Sequence, residues 1–266
     1  MAERDKQAVV ELLAAHEAHE HYGVGRLALE LQWSEKKTRR IRNQAGLTIA
    51  RPSKKRRLGK SAPAEIPAPT NALKAYAKPK NPDRPQDGLS YADMVNAEAW
   101  VQDFTYIWFQ GQWHYLAVVL NLKTRQVLGW RLGLRHSSEL TYGALLDALS
   151  KYPAPAILHS DQGSEYLSYK HQLLCDKLEI TLSCSDKASP WQNGYMERWF
   201  GGFKFDLGAV AKFQDLGQLH EAIALQMHYY NTKRIHTALK MSPAAYAASL
   251  TPATPEKDKV FVKSRG

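Results

Sequence analysis

The sequence predicts an α/β domain, with a mixed sheet flanked by helices, preceded by a small helical domain. Three strand-like segments within residues 100–132 are joined by very short connections, which is typical of an antiparallel meander. Two later strand-like segments, 156–160 and 180–184, alternate with helical segments, and this alternation allows parallel pairing. The first 50 residues show helical patterns instead.

The amino-terminal region is predicted to form three short helices. An amphipathic stretch covers residues 5–18, and a second helix covers 26–31. Ser34 is expected to cap a third, basic helix that begins at Glu35 and ends before Gly46. A short helix, a tight turn and a basic helix are typical of a helix-turn-helix that binds DNA, although a helical hairpin with a charged face has the same pattern. The side chains expected to contact DNA from this helix are Lys36, Lys37, Arg39, Arg40 and Arg42.

The positive charge of the chain is concentrated in one segment. The net charge is +10, and residues 34–60 contain eleven Lys or Arg against one acid, while the rest of the chain has 25 of each sign. Such a block favours binding to a polyanion through counterion release, although a solvated linker has a similar composition. A basic arm lies within it and is also predicted to contact DNA; its residues are Lys54, Lys55, Arg56 and Arg57.

Prolines punctuate the chain after this arm, so residues 51–90 are predicted to be a connector poor in helix and strand. The predicted division is therefore a helical DNA-binding domain at 1–50, the connector, a catalytic core at 91–248 and a tail at 249–266. Three histidines, His16, His19 and His21, do not match a zinc site because no Cys is near and their spacing differs from a helical i, i+4 pair. We interpret them as ordinary surface histidines.

Three isolated carboxylates stand where a catalytic site is expected. Asp103 lies in a predicted strand, Asp161 follows the strand at 156–160, and Glu197 lies in an aromatic helical stretch. The Asp161 and Glu197 positions are separated by 35 residues. An acid at the carboxyl end of a strand occupies the position where α/β sheets place their sites. Carboxylate oxygens are the preferred ligands of hard divalent cations, so the three acids predict a metal site.

These segments resemble the DDE catalytic core of retroviral-type integrases and insertion-sequence transposases. Asp161 lies in His-Ser-Asp-Gln-Gly-Ser-Glu-Tyr and Glu197 in Asn-Gly-Tyr-Met-Glu-Arg. The closing segments 230–239 and 242–246 are similar to those of the second-frame (OrfB-type) transposases of the insertion-sequence-three family. The resemblance covers about residues 20–247 and implies a ribonuclease-H-like fold.

The resemblance also implies an activity and its cofactor. The family cleaves DNA at the ends of a mobile element and joins the freed 3′-hydroxyl to DNA without a covalent protein intermediate. Two Mg²⁺ ions, or Mn²⁺ as a substitute, would be held by the three acids, with Asp103 bridging both. The implied partners are double-stranded DNA at the element ends and at the target, further copies of the chain, and an upstream first-frame protein, fused or separate. The DNA contacts expected beside the acids are Lys204, Arg198, Gln192 and Asn193.

Other functions fit the sequence less well. A non-catalytic DNA-binding regulator on the same scaffold would be expected to have lost one of the acids, and all three are present. A plain nuclease of the ribonuclease-H class would lack the amino-terminal DNA-binding element. A tyrosine recombinase needs a nucleophilic Tyr, but the adjacent Tyr229 and Tyr230 are more typical of a helix core. No apolar run approaches 18 residues and no signal peptide is recognised, so we expect a cytoplasmic, nucleoid-associated bacterial protein.

Overall fold

The structure is a computed structural model that describes residues 3–47, 68–84, 88–91, 94, 98–187 and 189–250. Lys54, Lys55, Arg56 and Arg57 lie outside the described residues, so their predicted role in DNA binding is not addressed by the structure. Most of the predicted tail, 251–266, lies outside them as well.

Three amino-terminal helices are present where the sequence predicted them. They are α1 (Glu3–Ala18), α2 (Val24–Glu30) and α3 (Glu35–Gln44). Ser34 caps α3 as expected, because its side chain accepts a hydrogen bond of 3.2 Å from the backbone N–H of Lys37. The helices share a small core that includes the fully buried Leu12, Leu27 and Ile41.

The segment predicted as a connector contains more structure than its prolines suggested. A 3₁₀ helix, Ala72–Tyr76, is followed by the antiparallel pair β1 (Lys78–Pro79) and β2 (Leu89–Ser90). Leu73 is fully buried in the larger core of the protein. Part of residues 51–90 therefore belongs to the packed fold, which the composition of the segment did not indicate.

The main sheet has five strands in the order β5-β4-β3-β6-β7. The strands β3 (Ala99–Phe109), β4 (Gln112–Asn121) and β5 (Val127–Gly133) form the predicted antiparallel meander. The strands β6 (Ile157–Ser160) and β7 (Thr181–Cys184) add to it in parallel, β6 alongside β3. The predicted mixed topology is thus confirmed.

Helices cover both faces of this sheet. On one face lie α4 (Ser138–Leu149) and α5 (Tyr169–Lys177), and on the other lie α6 (Gly194–Leu207) and α7 (Leu216–Thr232), with α8 (Pro243–Leu250) against α7. Neighbouring residues of β4 belong to opposite cores, as expected for side chains that alternate along a strand. The helix α5 begins at residue 169, because Glu165 lies in a turn after β6.

The helical domain packs against the chain that follows α7. The hydroxyl of Tyr22 accepts a hydrogen bond of 2.7 Å from the backbone N–H of Ile235, and Arg26 Nε donates to the carbonyl of the same residue at 2.9 Å. His19 Nδ1 lies 2.7 Å from the hydroxyl of Tyr229, and its ring stacks on Tyr22. The interpretation of His19 as an ordinary surface histidine is therefore wrong, since its partners come from a segment distant in the sequence.

Candidate active site

Asp103 and Asp161 are brought side by side by the parallel pairing of their strands. Val101 of β3 is in register with His159 of β6, and both aspartates lie two residues further along. The backbone N–H of Phe104 donates to Asp103 Oδ1 at 2.8 Å, and that of Gly163 donates to Asp161 Oδ1 at 3.0 Å. Each carboxylate is therefore oriented by a backbone N–H that is close to it in the sequence.

The aspartate pair has unusual electrostatics. Removal from water raises the pKa of Asp103 well above its ordinary value, and the charges of Asp161, Glu197 and Glu165 raise it further. The pKa of Asp161 is also raised, first by desolvation of its carboxyl and then by Glu165, although the residue as a whole is exposed. Within the described chain, neither aspartate forms an ion pair with Lys or Arg. Such a site gains stability from a bound cation.

Glu197 approaches the pair from the first turn of α6. The residue is exposed and lines a cavity together with Lys80 and Arg198, yet it lies near enough to Asp103 for its charge to raise the pKa of that aspartate. Among the residues that the structure describes, no three acidic, His or Cys side chains are close enough together to hold a metal ion as they stand. The two aspartates are thus adjacent, while the third predicted ligand is a neighbour whose side chain faces the cavity.

Glu165 is a fourth carboxylate at this site. It is buried, 6% exposed, and its Oε1 lies 2.9 Å from His136 Nε2. Its carboxyl lies so close to Gly163 that a Cβ added at Gly163 would force the Glu165 side chain to move. The sequence identified neither the burial of Glu165 nor its partner His136, because no periodic pattern links residues 136 and 165.

The amide side chains before α6 are turned inwards, not towards solvent. Asn193 is 5% exposed, and its Nδ2 donates to Asp103 Oδ2 at 3.3 Å. Its Oδ1 is buried without a hydrogen-bond partner among the described residues. Gln192 is buried and bonded to both Asn71 and Asp186. Both amides were predicted to contact DNA, but their hydrogen bonds are made within the protein, so Gln192 fixes the loop and Asn193 fixes Asp103.

The predicted basic contacts lie in different settings. Arg40 is bound to Asp5 through two hydrogen bonds of 2.8 and 2.9 Å, and Lys37 Nζ lies 3.7 Å from the centre of the Trp33 ring. Arg39 makes an exposed contact of 3.8 Å with Glu35. The exposed basic side chains of α3 and α6 are Lys36, Lys37, Arg39, Arg40, Arg198 and Lys204, whereas Arg42 is partly buried.

The donor set fits a hard divalent cation. Asp103 and Asp161 offer only oxygen ligands, burial and the neighbouring carboxylates raise the pKa of Asp103, and the amide oxygen of Asn193 is buried without a partner among the described residues. No His or Cys stands among the proposed ligands, which separates this arrangement from a structural zinc site. The residues therefore suit Mg²⁺ or Mn²⁺.

Comparison with protein families identifies the core. Two models, each described as "Integrase core domain", match residues 96–190 and residues 178–243. The chain is 31% identical over 173 residues to the transposase for insertion sequence element IS904 of Lactococcus lactis, which covers 61% of this chain and 68% of that protein. It is 29% identical over 255 residues to the insertion element IS600 uncharacterized 31 kDa protein of Shigella sonnei, covering 91% and 87%. It is also 34% identical over 118 residues to transposase InsF for insertion sequence IS3A of Escherichia coli, covering 44% and 41%.

A solved structure supports the fold. The cryo-electron microscopy structure of the simian T-cell lymphotropic virus intasome, in complex with a PP2A regulatory subunit, matches 65% of this chain and 62% of its own, with a TM-score of 0.50 and 18% identity. Over the residues that the structure covers, no helix is both long and apolar enough to cross a membrane. The ribonuclease-H-like architecture and the sequence relatives agree, and the chain belongs to the insertion-sequence-three family of DDE transposases.

Proposed function

We propose that this protein cleaves and joins DNA strands at the ends of its mobile element, with Asp103, Asp161 and Glu197 as the ligands of two divalent cations. The observation that supports this most strongly is the pair Asp103 and Asp161, whose carboxylates lie close together and form no ion pair with Lys or Arg among the described residues. A protein that only bound DNA would gain nothing from this arrangement, because acids beside the DNA repel phosphate.

Different residues of the chain have different proposed roles at the site. The N–H groups of Phe104 and Gly163 orient the two aspartates, and the amide of Asn193 holds Asp103 from the side of α6. When bound, the cations would neutralise charge on the reacting phosphate and lower the pKa of the attacking hydroxyl group or water. In this proposal Glu197 completes the ligand set by turning its carboxylate from the cavity towards Asp103.

The exposed face of α6 suits the backbone of a DNA strand. Glu197, Gly201 and Lys204 are spaced by four and three residues, so they form one stripe, and all three are exposed. No atom lies within 4 Å of the position that a Cβ of Gly201 would occupy. A phosphate group can therefore approach the helix closely between the carboxylate and the lysine, and we propose Lys204 as a phosphate contact.

The amino-terminal helices are proposed to bind duplex DNA. Their support is the exposed basic face of α3, which presents Lys36, Lys37 and Arg39 after a capped turn. Assembly of several copies on DNA and cooperation with an upstream first-frame protein remain predictions from the family resemblance. The domain division at residues 50, 90 and 248 likewise remains a proposal.

Replacement of Asp103 by Asn tests the proposed chemistry. Asp103→Asn keeps the size of the side chain and removes the charge that a cation needs, so strand joining with Mg²⁺ should fall by at least about 10³-fold, equivalent to ~4 kcal/mol. Binding to an element-end duplex should persist. Asp176→Asn, an exposed acid on α5, serves as the matched control and should join normally. Joining by Asp103→Asn at close to the wild-type rate would refute the assignment.

A further inference from the structure

A cavity beside the proposed catalytic acids has the wrong charge to hold a metal. It encloses about 360 Å³ between the first turn of α6 and the β1–β2 pair, which is the size of a small ligand pocket. Its lining includes Glu197, but also Lys80 and Arg198, with Trp191 and the ring of Tyr195. The cavity is therefore lined both by the third predicted metal ligand and by cationic side chains.

Among the residues that the structure describes, the cations around this cavity outnumber the acids. The pKa of Lys80 is lowered by partial desolvation and then by the positive charges of Arg198 and Arg125, so the three cations lie close enough to repel one another. Within the described part of the chain, Glu197 is the one acid that lines the cavity. Three cations against one carboxylate leave an excess of two positive charges.

Arg125 adds a buried charge behind the cavity. Its guanidinium carbon lies 4.0 Å from the centre of the Tyr195 ring, and Lys80 Nζ lies 5.4 Å from the same centre. Arg125 Nε and Nη1 are buried without a hydrogen-bond partner among the described residues, and burial lowers the pKa of the guanidinium. A desolvated cation without an acid is costly, so the free protein stores an unfavourable charge here that an anion would relieve.

We propose that this cavity binds one phosphodiester of the DNA strand that flanks the reacting phosphate. In this arrangement Lys80 and Arg198 contact the phosphate oxygens, the half-exposed ring of Tyr195 lies against the sugar, and Arg125 strengthens the positive potential from behind the ring. Because the cavity opens beside Glu197, a strand held there has its neighbouring phosphate close to the three proposed catalytic acids. The proposal rests on the proposed function, and it adds a site that holds DNA in place without taking part in bond breakage.

The chemistry of the site favours a phosphodiester over other ligands. Arg198 offers a planar fork of donors that matches two phosphate oxygens, whereas Lys80 supplies a compact charge. The aromatic ring between the cations accepts the apolar face of a sugar, which a free inorganic anion does not have. DNA that reacts at the neighbouring active site would bring a phosphate anion next to these cations.

The test combines protein variants with neutral phosphates in the DNA. A series of element-end duplexes carries a single methylphosphonate at successive positions around the reacting phosphate, and each is titrated with the full-length wild type and with the double variant Lys80→Ala, Arg198→Ala. The double variant Lys170→Ala, Lys177→Ala removes two exposed charges from α5 on the opposite face of the sheet and is the control. Thermal unfolding of each variant verifies that it is folded.

We expect the effect of neutralising particular phosphates to depend on Lys80 and Arg198. Wild type should lose affinity when one or two phosphates flanking the reacting position are neutralised, and the Lys80, Arg198 variant should be insensitive to those same substitutions. The logarithmic salt dependence of binding to unmodified DNA should fall by about 0.9 in that variant, since Lys80 and Arg198 contact the same phosphate and one neutralised phosphate contributes about 0.9. The control variant should lose the same affinity as wild type at each position of the methylphosphonate.

Two outcomes overturn the proposal. One is a methylphosphonate profile in the Lys80, Arg198 variant that equals the wild-type profile at every position. The other is a coupling confined to phosphates more than one helical turn from the reacting one, because the cavity would then hold another part of the DNA. Strand joining by wild type and its loss in Asp103→Asn are measured on the unmodified duplex, so a failure of the proposed chemistry is distinguished from a failure of this contact.

Discussion

The protein treats charge in opposite ways at its domain contact and at its candidate active site. Below the helical domain, Arg234 Nε donates to Asp206 Oδ2 at 2.7 Å, and these side chains are 10% and 6% exposed. At the other site, Asp103 and Asp161 lie close together, while two guanidinium nitrogens of Arg125 are buried beside the Tyr195 ring with no acid partner among the described residues. Charges that serve the fold are paired within the chain, whereas charges that serve a ligand are left for that ligand to balance.

The physical cost explains this difference. Removing a charge from water costs several kcal/mol, and a partner of opposite sign recovers most of it. A chain that leaves neighbouring acids without a Lys or Arg partner, and neighbouring cations without an equal number of acids, is less stable than it could be. Keeping the acids and the cations apart is useful if a metal cation binds the acids and a phosphate group binds the cations.

Removal of the metal should have the largest effect. If the aspartate pair depends on divalent cations, excess EDTA should abolish strand joining, and Mn²⁺ or Mg²⁺ added above the chelator should restore it. The measurement is a strand-joining assay on an element-end duplex. Undiminished joining in excess EDTA would show that the acids do not act through a metal.

The two arginines should respond differently to loss of their charge. Arg234→Met leaves Asp206 buried and unpaired, so the free energy of unfolding should fall by about 3–5 kcal/mol. Arg125→Met removes a charge that has no acid partner, and its effect should be close to zero or stabilising. Urea unfolding of both variants measures the difference. Equal destabilisation by the two substitutions would contradict the distinction between paired and unpaired charge.

A buried histidine shows a third way of handling charge, which is to stay neutral. His171 is fully buried against Gln102, and burial lowers its pKa to about 4, below the ordinary value. The unfolded chain therefore takes up its proton first as the pH falls. The contribution to stability is complete above about pH 6.5 and is lost between about pH 6.5 and 4, by up to about 3 kcal/mol.

His171→Gln tests this dependence on pH. Unfolding free energies measured across that range should decrease less steeply in His171→Gln than in wild type. His228→Gln, an exposed substitution on α7, is the control and should keep the wild-type slope. A wild-type slope in both variants would mean that His171 does not titrate between the folded and unfolded states in this range.

The smallest effect is expected from substitutions on α3, the helix proposed to bind duplex DNA. Lys36 and Arg39 are exposed on α3, so their replacement by Ala should leave the fold intact and weaken duplex binding. The logarithmic salt dependence should fall by about 1.8 if both contact phosphate. Fluorescence anisotropy at several salt concentrations measures this slope. An unchanged slope would assign DNA binding to another surface.

The sequence predicted the parts of the molecule that depend on local pattern. Strand alternation and short connections predicted the meander, and Ser34 predicted the start of α3, because such signals act within a few residues. The sequence placed Asp103 and Asp161 on two strands, which the structure pairs in parallel, while the catalytic roles of Asp103, Asp161 and Glu197 remain a prediction. Contacts between distant segments, such as His19 with Tyr229, carried no local signal and were missed.

Tertiary packing also changed the surroundings of the predicted site. Glu165 carried no signal of its surroundings in the sequence, yet its carboxyl lies against Gly163 and beside His136. Asn193 was expected to contact DNA, yet its amide donates a hydrogen bond to Asp103. In both cases a buried polar side chain finds a partner that is remote in sequence, and residue spacing gives no information about such partners.

We propose Glu197, and not Glu165, as the third ligand of the metal site. Glu197 is exposed on α6, whereas Glu165 is buried beside the aspartates, so the two substitutions Glu197→Gln and Glu165→Gln give a direct comparison. Strand joining with Mg²⁺ is measured for both, with element-end binding as the control for assembly. We expect a loss of about 10³-fold or more in Glu197→Gln and a substantially smaller loss in Glu165→Gln. Near-normal joining by Glu197→Gln, with joining abolished in Glu165→Gln, would contradict it.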